Sequence, residues 1–133
     1  MKNVFFVTDD IDSPVNLGLR REFEKVGYQV AHASVAEVQN QAFQFSDPDD
    51  LKYAIIDFDS EALKVSDGPL SREVSRLKNI FPENARLIAI NGTRIKISEF
   101  LRKYYQNGEI QYLATDSPPE NVVGLLELVH GKD

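Results

Sequence analysis

The chain predicts a single α/β domain: a parallel five-stranded sheet with helices on both faces, in three layers. Three observations predict it. Five short apolar runs alternate along the sequence with stretches of helical spacing, the pattern of repeated strand-helix units. Several of the helical stretches open or close on recognisable start or cap residues. The length of 133 residues fits one hydrophobic core, so residues 1–133 read as one domain.

The elements follow in order. Residues 2–8 form a buried strand of Val and Phe. Ser13-Pro14 starts a helix, with Ser as cap and Pro in the first turn, and Val15, Leu19, Phe23 and Val26 fall at helical spacing up to Gly27. A second strand runs from Tyr28 to Ala33. Ser34-Val35-Ala36-Glu37 is a capping box, and Val35, Val38, Ala42 and Phe45 continue one helical face. After the polar loop 46–50 comes the central strand, Leu51 to Phe58. The polar stretch 59–68 leads to a helix that begins at Pro69-Leu70, carries Leu70, Val74 and Leu77, and stops before Pro82. Leu87 to Ile90 is a fourth strand, Ser98 to Gln106 a fourth helix, and Ile110 to Ala114 a fifth strand. Ser117-Pro118-Pro119-Glu120 opens a last helix carrying Val122, Leu125, Leu126 and Val129. Between the fourth strand and fourth helix two readings stand. Asn91-Gly92 suits a type I′ hairpin, with Arg94-Ile95-Lys96-Ile97 returning as a strand, or the segment is an extended loop.

Composition narrows the function. Hydrophobic residues make up 42% and charged residues 27%, an ordinary globular balance. The net charge of −6 disfavours direct nucleic-acid binding, which needs clustered Lys and Arg. No cysteine is present, which rules out disulfides, thiol catalysis and cysteine metal sites and suits a cytoplasmic protein. No apolar run approaches the length of a membrane span, and no signal-peptide pattern opens the chain. No Gly-rich phosphate loop and no nucleophile-base pair is recognisable, so the chain is read as a non-enzyme. His32 and His130 read as structural or surface residues.

Acidic residues mark the ends of the strands. Val4-Phe5-Phe6-Val7 leads into Thr8-Asp9-Asp10, and Tyr53-Ala54-Ile55-Ile56 leads into Asp57. In an open parallel sheet those ends line the ligand crevice. Carboxylates gathered there repel unless a hard cation or a proton sits between them. The bland reading has Asp9 and Asp10 capping a helix or satisfying backbone donors.

The order of elements, Asp9-Asp10, Asp57 and Asp67-Gly68-Pro69-Leu70 together resemble the receiver domain of bacterial response regulators. The resemblance covers nearly the whole chain. It implies a flavodoxin-like sheet of order 2-1-3-4-5, Asp57 as candidate phospho-acceptor, and Asp9, Asp10 and Asp57 as ligands of Mg2+. It also makes Asn91, Tyr112 and Thr115 the switch positions. The sequence departs from the family at two of these. Asn91 stands where Ser or Thr is usual. Thr115, followed by Asp116, stands where the family has Lys, and no Lys lies between Lys103 and Lys132. A Lys there would balance phosphoryl charge. The chain therefore resembles a pseudo-receiver, a signalling module acting by protein contacts without the phosphorylation switch. A Mg-dependent phospho-accepting receiver is the alternative, and a small enzyme or nucleotide-binding protein on this fold a further one. Expected partners are a kinase or output protein, or a second copy through the 98–130 face, where Phe100, Tyr104, Tyr105 and Tyr112 form either core or an interaction surface.

Overall fold

The structure, a computed structural model, describes residues 2–40, 45, 47–58, 67–91, 95–108, 110, 112–114 and 118–130. Strand β1 (Asn3–Val7) is followed by helix α1 (Pro14–Lys25), β2 (Gln29–Ala33) and α2 (Val35–Gln39). A short 3-10 turn, Pro48–Asp50, precedes β3 (Leu51–Asp57) and α3 (Asp67–Ile80). Then come β4 (Arg86–Ile90), α4 (Ile95–Gln106), β5 (Tyr112–Ala114) and α5 (Pro119–His130). The five strands form one sheet in the order β2-β1-β3-β4-β5, every pair parallel. This is the expected doubly wound α/β fold. The chain leaves β1 toward β2 on one side and returns to β3 on the other, so the strand order reverses between β1 and β3. A crevice opens at such a reversal, beyond the carboxyl ends of the strands.

Strands β1, β3 and β4 are buried on both sides, and their alternation sorts the core into two layers. Phe5, Val7, Ala54, Ile56, Leu87 and Ala89 pack with Val35, Val38, Val74, Leu77, Phe81 and Leu101 from α2, α3, α4 and the α3–β4 turn. Val4, Phe6, Tyr53, Ile55, Ile88 and Ile90 pack with Leu19, Phe23, Val122, Val123 and Leu126 from α1 and α5. Asn84 ties the amino edge together, its amide donating to the carbonyls of Leu51 (2.9 Å) and Pro48 (3.1 Å). Among the described residues no helix is long and apolar enough to cross a membrane.

The caps form as the sequence requires. Ser13 accepts from the Asn16 N–H at the head of α1, and Gly27 takes a φ of +94° after its end. Ser34 and Glu37 close the capping box of α2, whose backbone and hydroxyl contacts hold the Glu37 carboxyl below its usual range.

Several expectations about boundaries and faces are corrected. Of the two readings after Asn91 only the hairpin is overturned: α4 begins at Ile95 and takes up the residues of its return strand, so the chain passes from β4 into the fourth helix. That start is also three residues earlier than Ser98. Helix α3 starts at Asp67 rather than Pro69, which places Pro69 inside the first turn, where its missing N–H costs nothing. Helix α2 stops at Gln39, short of the expected face through Ala42; Ala42 lies outside the described residues, while Phe45 packs edge-on against Phe5. The inward faces of α1 and α5 are rotated. Asn16, Leu19 and Phe23 are buried while Val15 and Val26 are exposed, and Val123 replaces Leu125 and Val129 in the core.

Candidate functional site

Four residues meet at the carboxyl edge where the strand order reverses. Thr8 follows β1, Asp57 ends β3, Asn91 follows β4, and Asn16 projects from the first turn of α1. Parallel pairing sets β1 beside β3 and β3 beside β4, so the ends of these strands lie side by side. The Phe58 N–H donates to the Ile90 carbonyl at 3.1 Å, which carries the β3–β4 pairing to the edge of the site.

Asp57 is the centre of the group and is 5% exposed. Its Oδ2 accepts from the Thr8 hydroxyl at 2.7 Å and from the Asn16 amide at 3.0 Å. Its Oδ1 accepts from the Asn91 amide at 2.8 Å. A buried carboxylate without partners is strongly unfavourable, and charge-assisted hydrogen bonds offset that cost. Asn91 reaches the carboxylate from a left-handed backbone, φ +61°, a conformation asparagine tolerates better than most residues.

Thr8 and Asn16 tie Asp57 to the loop after β1. The Thr8 oxygen gives its one hydrogen to Asp57 and accepts from the Asp10 N–H at 3.0 Å and the Asn16 amide at 3.2 Å. The Asn16 amide also donates to the Asp10 carbonyl at 2.8 Å. Among the described residues its own carbonyl oxygen, Oδ1, is buried without a hydrogen-bond partner. Turning the amide over would not help, since it would set that oxygen against the Asp10 carbonyl and the Asp57 carboxylate, both obligate acceptors.

The acidic residues of the β1 loop have other duties. The Asp9 carboxylate accepts from the Val35 N–H at the head of α2, 3.1 Å away. It therefore satisfies a backbone donor, and does so for the second helix rather than the first. Asp10 is exposed and enters the network through its main chain. Among the described residues no three His, Cys, Asp or Glu side chains are grouped so that they could hold a metal ion. Among the described side chains Asp57 accepts from three neutral donors, and the Asp9 carboxylate is turned to the head of α2.

Of the other expected positions, Asn91 joins the site. Tyr112 opens β5 opposite Ile88, and its side chain lies outside the described residues. Thr115 also lies outside them, as do residues 59–66. Asn16 was not legible as a site residue, because apolar spacing drew the helix face through Val15. The available signal was an asparagine three and seven residues before Leu19 and Phe23. Thr8 was visible only as the residue between an apolar strand and two aspartates.

No protein-family model matches the chain, and no curated protein matches it in sequence. Solved structures do. The crystal structure of the pilus assembly protein CpaE from Caulobacter crescentus CB15 is similar with a TM-score of 0.61 at 10% identity, covering 96% of this chain and 92% of that one. At that identity the likeness is one of fold, and it supports a receiver-like, flavodoxin-like α/β architecture across the domain.

Proposed function

We propose that this chain is a signalling module on a receiver-like fold that works through protein contacts, with Asp57 as the buried hub of its site rather than a phosphoryl acceptor. The observation that carries the reading is the state of the Asp57 carboxylate. Both oxygens accept hydrogen bonds from neutral side chains, and the group is 5% exposed. An attacking carboxylate oxygen needs an open approach and a cation to neutralise the incoming group. The sequence places no Lys between residues 103 and 132 to supply one from the fifth strand. Protein contact has surface available on α5, where Leu125, Leu128 and Val129 are 40%, 82% and 59% exposed. Their spacing sets them on neighbouring positions of one helix side, and α4 adds the exposed Tyr105.

The test is intact mass after incubation with magnesium and acetyl phosphate, beside an Asp57→Asn control. The reading expects no phosphoryl gain in either protein. A gain of one phosphoryl group that the control lacks would establish the alternative, a magnesium-dependent phospho-acceptor at Asp57.

A further inference from the structure

Asn16 is wholly buried, and the two ends of its amide are served unequally. The nitrogen lies 2.8 Å from the Asp10 carbonyl, 3.0 Å from Asp57 Oδ2 and 3.2 Å from the Thr8 hydroxyl oxygen. An amide nitrogen carries two hydrogens, so these acceptors outnumber what it can give. The oxygen at the other end is buried with no hydrogen-bond partner among the described residues. A buried orphan acceptor is unfavourable, so the amide is held in place by what its nitrogen does. That nitrogen is the positive end of a dipole, set among a carboxylate oxygen, a main-chain carbonyl and a hydroxyl oxygen. Hard cations select oxygen sets of this kind.

We propose that the Asn16 amide is a built-in substitute for a cation, a specificity-determining group that closes the Asp57 site to divalent ions. The inference rests on the reading of Asp57 as a hub and names what holds the hub shut. Nδ2 fills the point that the three oxygens share, so an ion entering there must first displace it. Displacement strips a donor from Asp57 and from the Asp10 carbonyl at once. It is also resisted by the helix, since Asn16 lies in the first turn of α1 behind its Ser13 cap and Leu19 packs in the core one turn on. Unlike an ion, the amide cannot dissociate, so Asp57 keeps this partner whatever the salt outside.

Asparagine and aspartate have the same shape and make opposite demands on this place. Asn16→Asp puts a carboxylate oxygen where Nδ2 stands, 3.0 Å from Asp57 Oδ2. Two carboxylates so placed need a cation or a proton between them. With the Asp10 carbonyl and the Thr8 oxygen they form an all-oxygen set that suits calcium or magnesium.

The experiment measures melting temperatures at neutral pH in EDTA, in millimolar calcium and in millimolar magnesium. The wild type should melt at one temperature in all three. Asn16→Asp should melt lower in EDTA and rise by about 5 °C with one of the ions, the shift for a tenfold excess over the dissociation constant in a domain of this size. Adding Asp57→Asn to that variant should abolish the rise, which separates binding at this site from screening of surface acids. Asn16→Ala vacates the same point without adding charge. It serves if the aspartate variant folds in none of the buffers, and should show a smaller rise that the wild type lacks. A wild type stabilised by either ion as strongly as the variant would overturn the proposal, as would a folded Asn16 variant that neither ion stabilises. The two failures read out differently: a phosphoryl gain in intact mass overturns the reading of Asp57, and a missing ion-dependent shift overturns the role of Asn16.

Discussion

Tyr28, just before β2, shows how burial changes the chemistry of a residue. It is 4% exposed, and its ring lies 5.3 Å from that of Phe23 and 5.8 Å from that of Tyr53. Burial, reinforced by the Glu127 carboxylate, pushes the hydroxyl far above the usual tyrosine range. The folded state therefore favours the neutral form. Its contribution is fully present below the ordinary tyrosine pKa of about 10 and is lost as pH rises beyond it. Melting temperature measured from neutral to strongly alkaline pH should fall more steeply for the wild type than for Tyr28→Phe; equal slopes would contradict this. The candidate site was legible where chemistry and position coincided, at Asp57 and Asn91, both at strand ends. It was hidden at Asn16, because an amphipathic face is read from its apolar members and a buried polar residue among them leaves no periodic trace. Asp9 was legible as an acid near the site, but which donor it would serve depended on how closely α2 approaches β1, a tertiary fact.

Helix α1 connects the site to the opposite side of its layer. Two residues after Asn16, Gly18 faces the first turn of α5 so closely that an added Cβ would lie 2.7 Å from Cγ of Pro119. The ring of a proline at a helix start has little room to yield. Gly18→Ala should therefore lower stability by about 1–2 kcal/mol, the overpacking cost exceeding the gain in helix propensity. Pro119→Ala in the same chain should restore most of it, as chemical denaturation would show; a Gly18→Ala protein as stable as the wild type would mean that the two helices are not packed this closely. Elements with explicit caps were legible to within a residue or two, as α1 and the start of α2 show. Boundaries that depended on packing were not. Asn91-Gly92 has the chemistry of a tight turn, yet the next described element is a helix from Ile95, because local turn preference is weak beside the burial that α4 gains against the sheet. The inward face of α5 was misjudged because the helix is apolar nearly all round, so periodicity alone could not tell which side the sheet would cover.

The whole molecule follows from a few strong patterns. Five apolar runs separated by helical stretches fix a parallel sheet, and the reversal of strand order between β1 and β3 fixes where a site can form. What this chain builds there is a carboxylate that accepts from three neutral side chains. A working acidic pocket and a structural hub occupy the same place in such a fold, but their energetics have opposite signs. Crowded carboxylates destabilise the folded state, so removing one relieves repulsion. A buried carboxylate that accepts from three side chains stabilises it, so removing that group strands buried donors, each at a cost of about 1–3 kcal/mol. The most direct measurement is therefore the unfolding free energy of Asp57→Ala against the wild type at neutral pH. A loss of about 2–4 kcal/mol is predicted if Asp57 is the hub of the site. Unchanged or increased stability would contradict it and return Asp57 to the role of a strained, reactive acid.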